Sequence, residues 1–153
     1  MKKRVLIILT TVFGIDIITK YLIFSKVSLI NGKVIINNFF KILPVKNTGA
    51  AFSFMDNNNI LLILISIAIL FYLIWLLRKD KTTVLSDVSY GLLIGGLLGN
   101  LYDRLFLSYV RDFLSFRIFN YDFAIFNVAD IAIVIGAILL FITFIKGSKK
   151  YED

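Results

Sequence analysis

Cysteine and histidine are both absent from the chain, and proline occurs once. Without cysteine there is no disulfide and no thiol nucleophile. Without histidine there is no Ser-His-Asp triad and no histidine-ligated zinc. Any acid–base chemistry therefore falls to carboxylates, lysine or tyrosine, and no metal or cofactor is expected. Polar residues are also scarce. Of 153 residues 59% are hydrophobic and 18% charged, with a mean hydropathy of +0.87, too apolar for a soluble domain that needs a polar shell.

What is present is a set of long apolar runs: Val5–Phe24, Ile60–Leu77, Val88–Leu107 and Phe123–Ile145. At about 1.5 Å per residue each spans roughly 27–35 Å, matching the ~30 Å hydrocarbon layer of a bilayer. The reading is an all-α polytopic membrane protein of four transmembrane helices, forming a single domain over residues 1–153. The net charge of +7 follows topology rather than nucleic-acid binding. Lys2, Lys3, Arg4, Arg78, Lys79, Lys81, Lys146, Lys149 and Lys150 crowd short segments on one side. Lys26, Lys33, Lys41, Lys46, Arg111 and Arg117 are spread over longer loops on the other. The positive-inside rule then places both termini in the cytoplasm. Lys2–Arg4 before an apolar stretch also resembles a signal peptide, but no small-residue cleavage site follows, so a retained anchor is expected.

The first outer loop, about residues 26–59, contains "VSLINGKVIINNFFKIL", with β-branched alternation and the hairpin signal Asn31–Gly32. A small extracytoplasmic β-cradle is expected there, ended by Pro44. The second outer loop, about 108–122, is short, aromatic and charged, and is expected at the membrane interface.

The polar residues inside the runs converge. With helices 1 and 3 running outward and helix 4 inward, Asp16, Lys20, Asn100, Asp103, Arg104, Asn127 and Asp130 fall at mid-depth or in the outer half. Asp130 would then lie roughly 6–10 Å below the start of its helix. Each has a plainer alternative. Asp16 and Lys20, four apart, could simply neutralise each other. Asp103 and Arg104 could snorkel at the interface, and Asn127 could be interhelical glue. Asp112 taken alone is an ordinary interfacial acid, and Arg111 a surface charge or a headgroup contact. Asp130 is hardest to dismiss, because no basic residue lies within one turn and a carboxylate there costs roughly 2.5–3.5 kcal/mol on insertion scales. Gly91, Gly95 and Gly99 make a stripe where a neighbouring helix can approach.

The segments "DIITK" (16–20), "NTGAAF" (47–52), "GGLLGNLYDR" (95–104), "VRDF" (110–113) and "FNVAD" (126–130) resemble, in order and spacing, the motifs of lipoprotein signal peptidases. One departure is Ser108, where the family usually has Gly. The resemblance implies an aspartic dyad at Asp112 and Asp130. It also implies a substrate cleft lined by Asn47, Asn100, Arg104 and Asn127, with Asp16, Lys20, Gly49 and Asp103 in support. The implied substrates are prolipoproteins, cleaved just before a diacylglyceryl-modified Cys, and the implied setting is a bacterial cell membrane with the site toward its outer face. The glycine stripe and an apolar groove would admit lipid tails and the signal helix. Partners are then lipidated substrates and membrane lipids, with no nucleic acid and the enzyme a monomer. A rival reading is a small ion- or proton-coupled transporter using Asp16, Lys20, Asp103, Arg104 and Asp130 as its path.

Overall fold

The computed structural model describes residues 2–49, 58–79 and 83–148. Lys81, Lys149 and Lys150, and Ala50, Ala51 and Phe52 of the "NTGAAF" segment, lie outside the described residues. Four helices, α1 (Lys3–Lys26), α2 (Asn59–Lys79), α3 (Val84–Leu107) and α4 (Val128–Ser148), are each long and apolar enough to cross a membrane. In lipid a backbone must satisfy its own hydrogen bonds, and these proline-free runs do so as helices. Their outward faces are apolar, as at Ile18, Leu64, Phe71, Val134 and Phe141, which suits contact with lipid.

α3 is the central helix, with 67% of its span buried inside the protein. Glycines make this possible. A Cβ at Gly95 would stand 2.9 Å from the Leu9 carbonyl oxygen of α1, and one at Gly96 would stand 2.5 Å from the Ala129 carbonyl oxygen of α4. The stripe of Gly91, Gly95 and Gly99 is thus filled by α1, which corrects the expectation that it opens a groove for lipid tails and a signal helix. The apolar core of Val5, Leu9, Leu70, Leu73, Leu77, Tyr90, Leu93, Ile94 and Leu140 lies toward the starts of α1 and α3.

The starts of α3 and α4 differ from the apolar runs. α3 begins before Val88, because Thr83 caps it in a reciprocal box with Ser86 and Asp87 meets Arg4 at 3.0 Å. α4 begins not at Phe123 but at Val128. Phe126 is held in extended form, exchanging backbone hydrogen bonds of 2.8 and 3.1 Å with Leu114.

The other layer is a four-stranded antiparallel sheet in the order β1 (Lys33–Ile36), β2 (Phe40–Asn47), β3 (Val110–Ile118), β4 (Tyr121–Asp122). It draws on both loops, so the segment expected only to lie at the interface supplies half its strands. Asn31–Gly32 is not the hairpin turn; it leads into β1, and Gly32 suits the position both by its φ of +61° and because a Cβ would strike the Ile42 carbonyl oxygen. The chain turns instead at Asn37–Phe39, with Asn38 at φ 56°. Pro44 does not end the strand but sits inside β2, at the irregularity between Ile42 and Val45. There the ladder needs no N–H from it.

Candidate functional site

The site assembles where α4 begins. Asn127 is its cap: the side-chain Oδ1 accepts from the Asp130 backbone N–H at 3.0 Å, and Asp130 Oδ2 accepts from the Asn127 backbone N–H at 3.0 Å. This is the reciprocal capping box in an Asn-x-x-Asp form. Asp16 Oδ1 from α1 accepts from Ala129 N–H at 2.9 Å. Asp130 therefore lies in the first turn rather than below it, where the positive end of the helix dipole favours a carboxylate. The lipid cost that made it conspicuous is relieved by local hydrogen bonds, and the box was readable in "NVAD" as an ordinary helix-start signal.

Strand pairing brings in Asp112, opposite Val45 and two residues from the Asn47–Val110 pair. Asn47 Nδ2 donates to Asp112 Oδ2 at 2.8 Å, and Asn127 Nδ2 donates to Asp112 Oδ1 at 2.6 Å. Asn100 Nδ2 donates to Asp130 Oδ1 at 2.7 Å. One residue, Asn127, thus touches both carboxylates, through its amide and through its backbone. Asp112 is 2% exposed. Burial, followed by the negative charge of Asp130, pushes its carboxyl up to about 7 from the usual 3.8.

Each asparagine has its oxygen occupied. Asn47 Oδ1 accepts from Gly49 N–H at 3.0 Å, Asn127 Oδ1 from Asp130 N–H, and Asn100 Oδ1 from Lys20 Nζ at 3.0 Å. Their nitrogens are thereby aimed at the two acids. Of the four residues that the family resemblance assigns to a substrate cleft, Asn47, Asn100 and Asn127 are here hydrogen-bonded to Asp112 or Asp130, and Arg104 instead meets the Gly49 carbonyl oxygen.

A ladder of alternating charges backs the pair. Lys20 Nζ lies 2.7 Å from Asp16 Oδ2 and 3.3 Å from Asp103 Oδ2, all three residues fully buried. Asp103 in turn takes Arg111 Nη2 at 2.7 Å and the Arg111 backbone N–H at 3.0 Å. Asp103 is therefore no snorkelling surface acid, and Arg111, left undecided by sequence, clasps it from the position next to Asp112 in β3. Opposite charges flanking the short turn at Ser108 were the available signal. Ser108 itself adopts the left-handed conformation, φ 66°, that explains why Gly is usual there. Arg104 is half-buried and donates to the Gly49 carbonyl oxygen at 3.2 Å. Asn59, unremarked in the sequence, ties the start of α2 to the Arg104 carbonyl oxygen at 3.0 Å.

The chain as a whole matches known proteins. The family model described as "Signal peptidase (SPase) II" matches residues 8–146. The chain belongs to the signal peptidase II family. It is 38% identical to the lipoprotein signal peptidase of Alteromonas mediterranea, over 98% of this chain and 85% of that one. A bacterial membrane enzyme solved by the in meso method at 2.3 Å resolution superposes with a TM-score of 0.88 at 33% identity, covering 95% of this chain and 90% of that one. A second, at 1.9 Å, gives 0.83 at 34% identity, covering 93% and 92%. Signal peptidase II is a peptidase, so the transporter reading has no support. Three of the ions that suggested a conduction path, Asp16, Lys20 and Asp103, are instead paired with one another.

Proposed function

We propose that this signal peptidase II is an aspartic endopeptidase that releases the signal peptide of diacylglyceryl-modified prolipoproteins just before the lipidated Cys, using Asp112 and Asp130. The observation that carries this is Asn127, which links both carboxylates within one hydrogen-bonded unit. The two acids share this one partner, and the negative charge of Asp130 favours the protonated form of Asp112. Charge balance supports the same protonation. Asp16, Asp103 and an ionised Asp130 match Lys20, Arg104 and Arg111, which leaves Asp112 neutral.

In this reading Asp130 takes a proton from the attacking water as its oxygen bonds to the scissile carbonyl carbon. Asp112 gives its proton to the carbonyl oxygen. Collapse of the tetrahedral intermediate breaks the C–N bond as Asp130 gives its proton to the leaving amine and Asp112 recovers one from a hydroxyl of the intermediate, which restores the starting state. Exclusion of bulk water strengthens both interactions. Arg104, anchored at Gly49, offers a cation to the peptide backbone or to the headgroup region. Lys2–Arg4 at the start of α1 and Arg78–Lys79 at the end of α2 lie at the bundle end away from the sheet. Their charge supports cytoplasmic termini and an extracytoplasmic sheet and site, in a bacterial cell membrane. The whole chain then acts as one catalytic unit on its lipidated substrates.

The test is single-turnover cleavage of a lipidated and an unlipidated prolipoprotein, read by mass shift. Only the lipidated form should be cut. Asp112→Asn, Asp130→Asn and the double variant should lose turnover about equally, because paired groups act as a unit. Substantial turnover by either single variant, normalised to folded protein, refutes the assignment.

A further inference from the structure

Among the charged residues around the pair, Lys20 has a contact that neutralising Asp16 does not require. Its ammonium is ion-paired with Asp16 at 2.7 Å and Asp103 at 3.3 Å, and it donates a hydrogen bond to Asn100 Oδ1 at 3.0 Å. That hydrogen bond determines how Asn100 is oriented. An ammonium can only donate, so Asn100 must face Lys20 with its oxygen and face Asp130 with its nitrogen. Asn127 Nδ2, itself committed by the helix cap, donates to the same Asn100 oxygen at 3.1 Å. In the flipped amide, the Asn100 nitrogen would meet two donors and its oxygen would meet the Asp130 carboxylate. Three attractive contacts would become three repulsive ones. Of the two groups that set the amide, Lys20 is the charged one, and charge-assisted bonds are roughly twice as strong as neutral ones.

We infer that Lys20 is a positioning residue for the peptidase reaction, acting through Asn100 to keep a hydrogen-bond donor on Asp130. Asp130 is the member of the pair that must be ionised to accept a proton from water, and this inference rests on that reading. Lys20 touches neither carboxylate of the pair and does not need to meet substrate. The charged groups facing this point are Asp16 from α1, Asp103 and Arg104 from α3, Arg111 and Asp112 from β3, and Asp130 from α4. Lys20 is fully buried against Asp16 and Asp103, and its charge also draws the Asp112 carboxyl downward against the effects of burial and Asp130. Its loss thus has two consequences that a purely architectural lysine would not produce. Asn100 becomes free to turn, and the alkaline limb of the pH profile moves to higher pH.

The experiment uses full-length enzyme in detergent and a diacylglyceryl prolipoprotein, with kcat, KM and the pH profile measured per folded molecule. Lys20→Met should lower kcat about 100-fold, in the range of acid–base contributions, with KM little changed and the alkaline limb shifted upward. Because Lys20→Met leaves Asp16 unpaired, Asp16→Asn combined with Lys20→Met is the second variant. It restores neutrality and keeps an oxygen for the Ala129 N–H. It should fold better than Lys20→Met and remain as slow. Asn100→Ala, with Lys20 intact, should show a comparable fall in kcat, and adding Lys20→Met to it should cost little more. Wild-type kcat in the neutral double variant overturns the inference. So does a fall in kcat with an unmoved alkaline limb, or failure of both lysine variants to fold, which would assign Lys20 to architecture alone. Turnover by Asp130→Asn would instead overturn the catalytic pair, so the two failures are distinguishable.

Discussion

Strand β3 carries two arginine–aspartate pairs with the same 2.7 Å closest approach and opposite surroundings. Arg111 and Asp103 join its first residues to α3, with side-chain exposures of 12% and 0%. Arg117 and Asp122 join its last residues to β4, with exposures of 46% and 61%. Both guanidinium groups use two nitrogens on the carboxylate. What differs is the alternative open to each carboxylate. Asp122 without its arginine would be solvated by water. Asp103 without Arg111 would remain buried beside Lys20. Identical geometry thus has structural weight only at the end of the strand where water cannot replace it.

The comparison is broken most directly at Asp103. Asp103→Asn leaves Arg111 and Lys20 facing a neutral group, and removing one partner of a buried pair costs about 3–5 kcal/mol. Thermal unfolding should show a large loss of stability. The surviving folded enzyme should turn over slowly, because the start of β3, which carries Asp112, is no longer held to α3. A melting temperature close to wild type would mean that the buried pair is no more than its exposed counterpart.

Titration separates the two ends next. Asp112 is shifted upward, to about 7, by burial and then by Asp130, whereas the hydrogen bond from Arg117 holds Asp122 below the usual carboxylate value. The signs oppose. Asp112 binds its proton more tightly folded than unfolded, so its contribution to stability is complete below 3.8 and is lost as pH rises through about 7. Asp122 contributes above its unfolded value and loses that contribution as pH falls. If Asp112 is the acid, turnover should decline above about 7, approaching a tenfold drop per pH unit well beyond it. A flat profile through that region would remove the proton from Asp112.

A smaller effect is expected at Gly99, which makes room for the buried network. An added Cβ would collide with the Asp16 carboxylate, already held by Lys20 and the Ala129 N–H. Gly99→Ala should destabilise by about 1–3 kcal/mol, as overpacking does, and Asp16→Asn should not rescue it, since Asn fills the same space. Denaturant unfolding of the single and double variants checks this. The smallest effect belongs to the exposed pair. Asp122→Asn should leave the melting temperature and turnover unchanged, and a measurable loss would show that the end of β3 contributes more than its exposure indicates.

The sequence by itself determined the membrane class, the four spans and the positions of the polar residues, because a hydrocarbon solvent leaves its mark on every residue of a run. Motif order also pointed to the family and to Asp112 and Asp130. Local signals were less decisive where two of them competed. The apolar run before Asn127 read as helix, but Phe126 was claimed by Leu114, and the Asn-Gly pair read as a hairpin turn, but β2 took the space beside Gly32. Other features were decided by tertiary structure alone: a sheet shared by both loops, α1 lying in the glycine stripe, Asp103 holding Arg111, and three asparagine amides turned toward two acids. The reason is directional. Apolar pattern records whether a side chain avoids water, but not which partner it meets. The site depends on which atom donates to which across separations such as Asn47 to Asp112 and Asp16 to Ala129, 65 and 113 residues apart. Only the packed chain brings those donors and acceptors together.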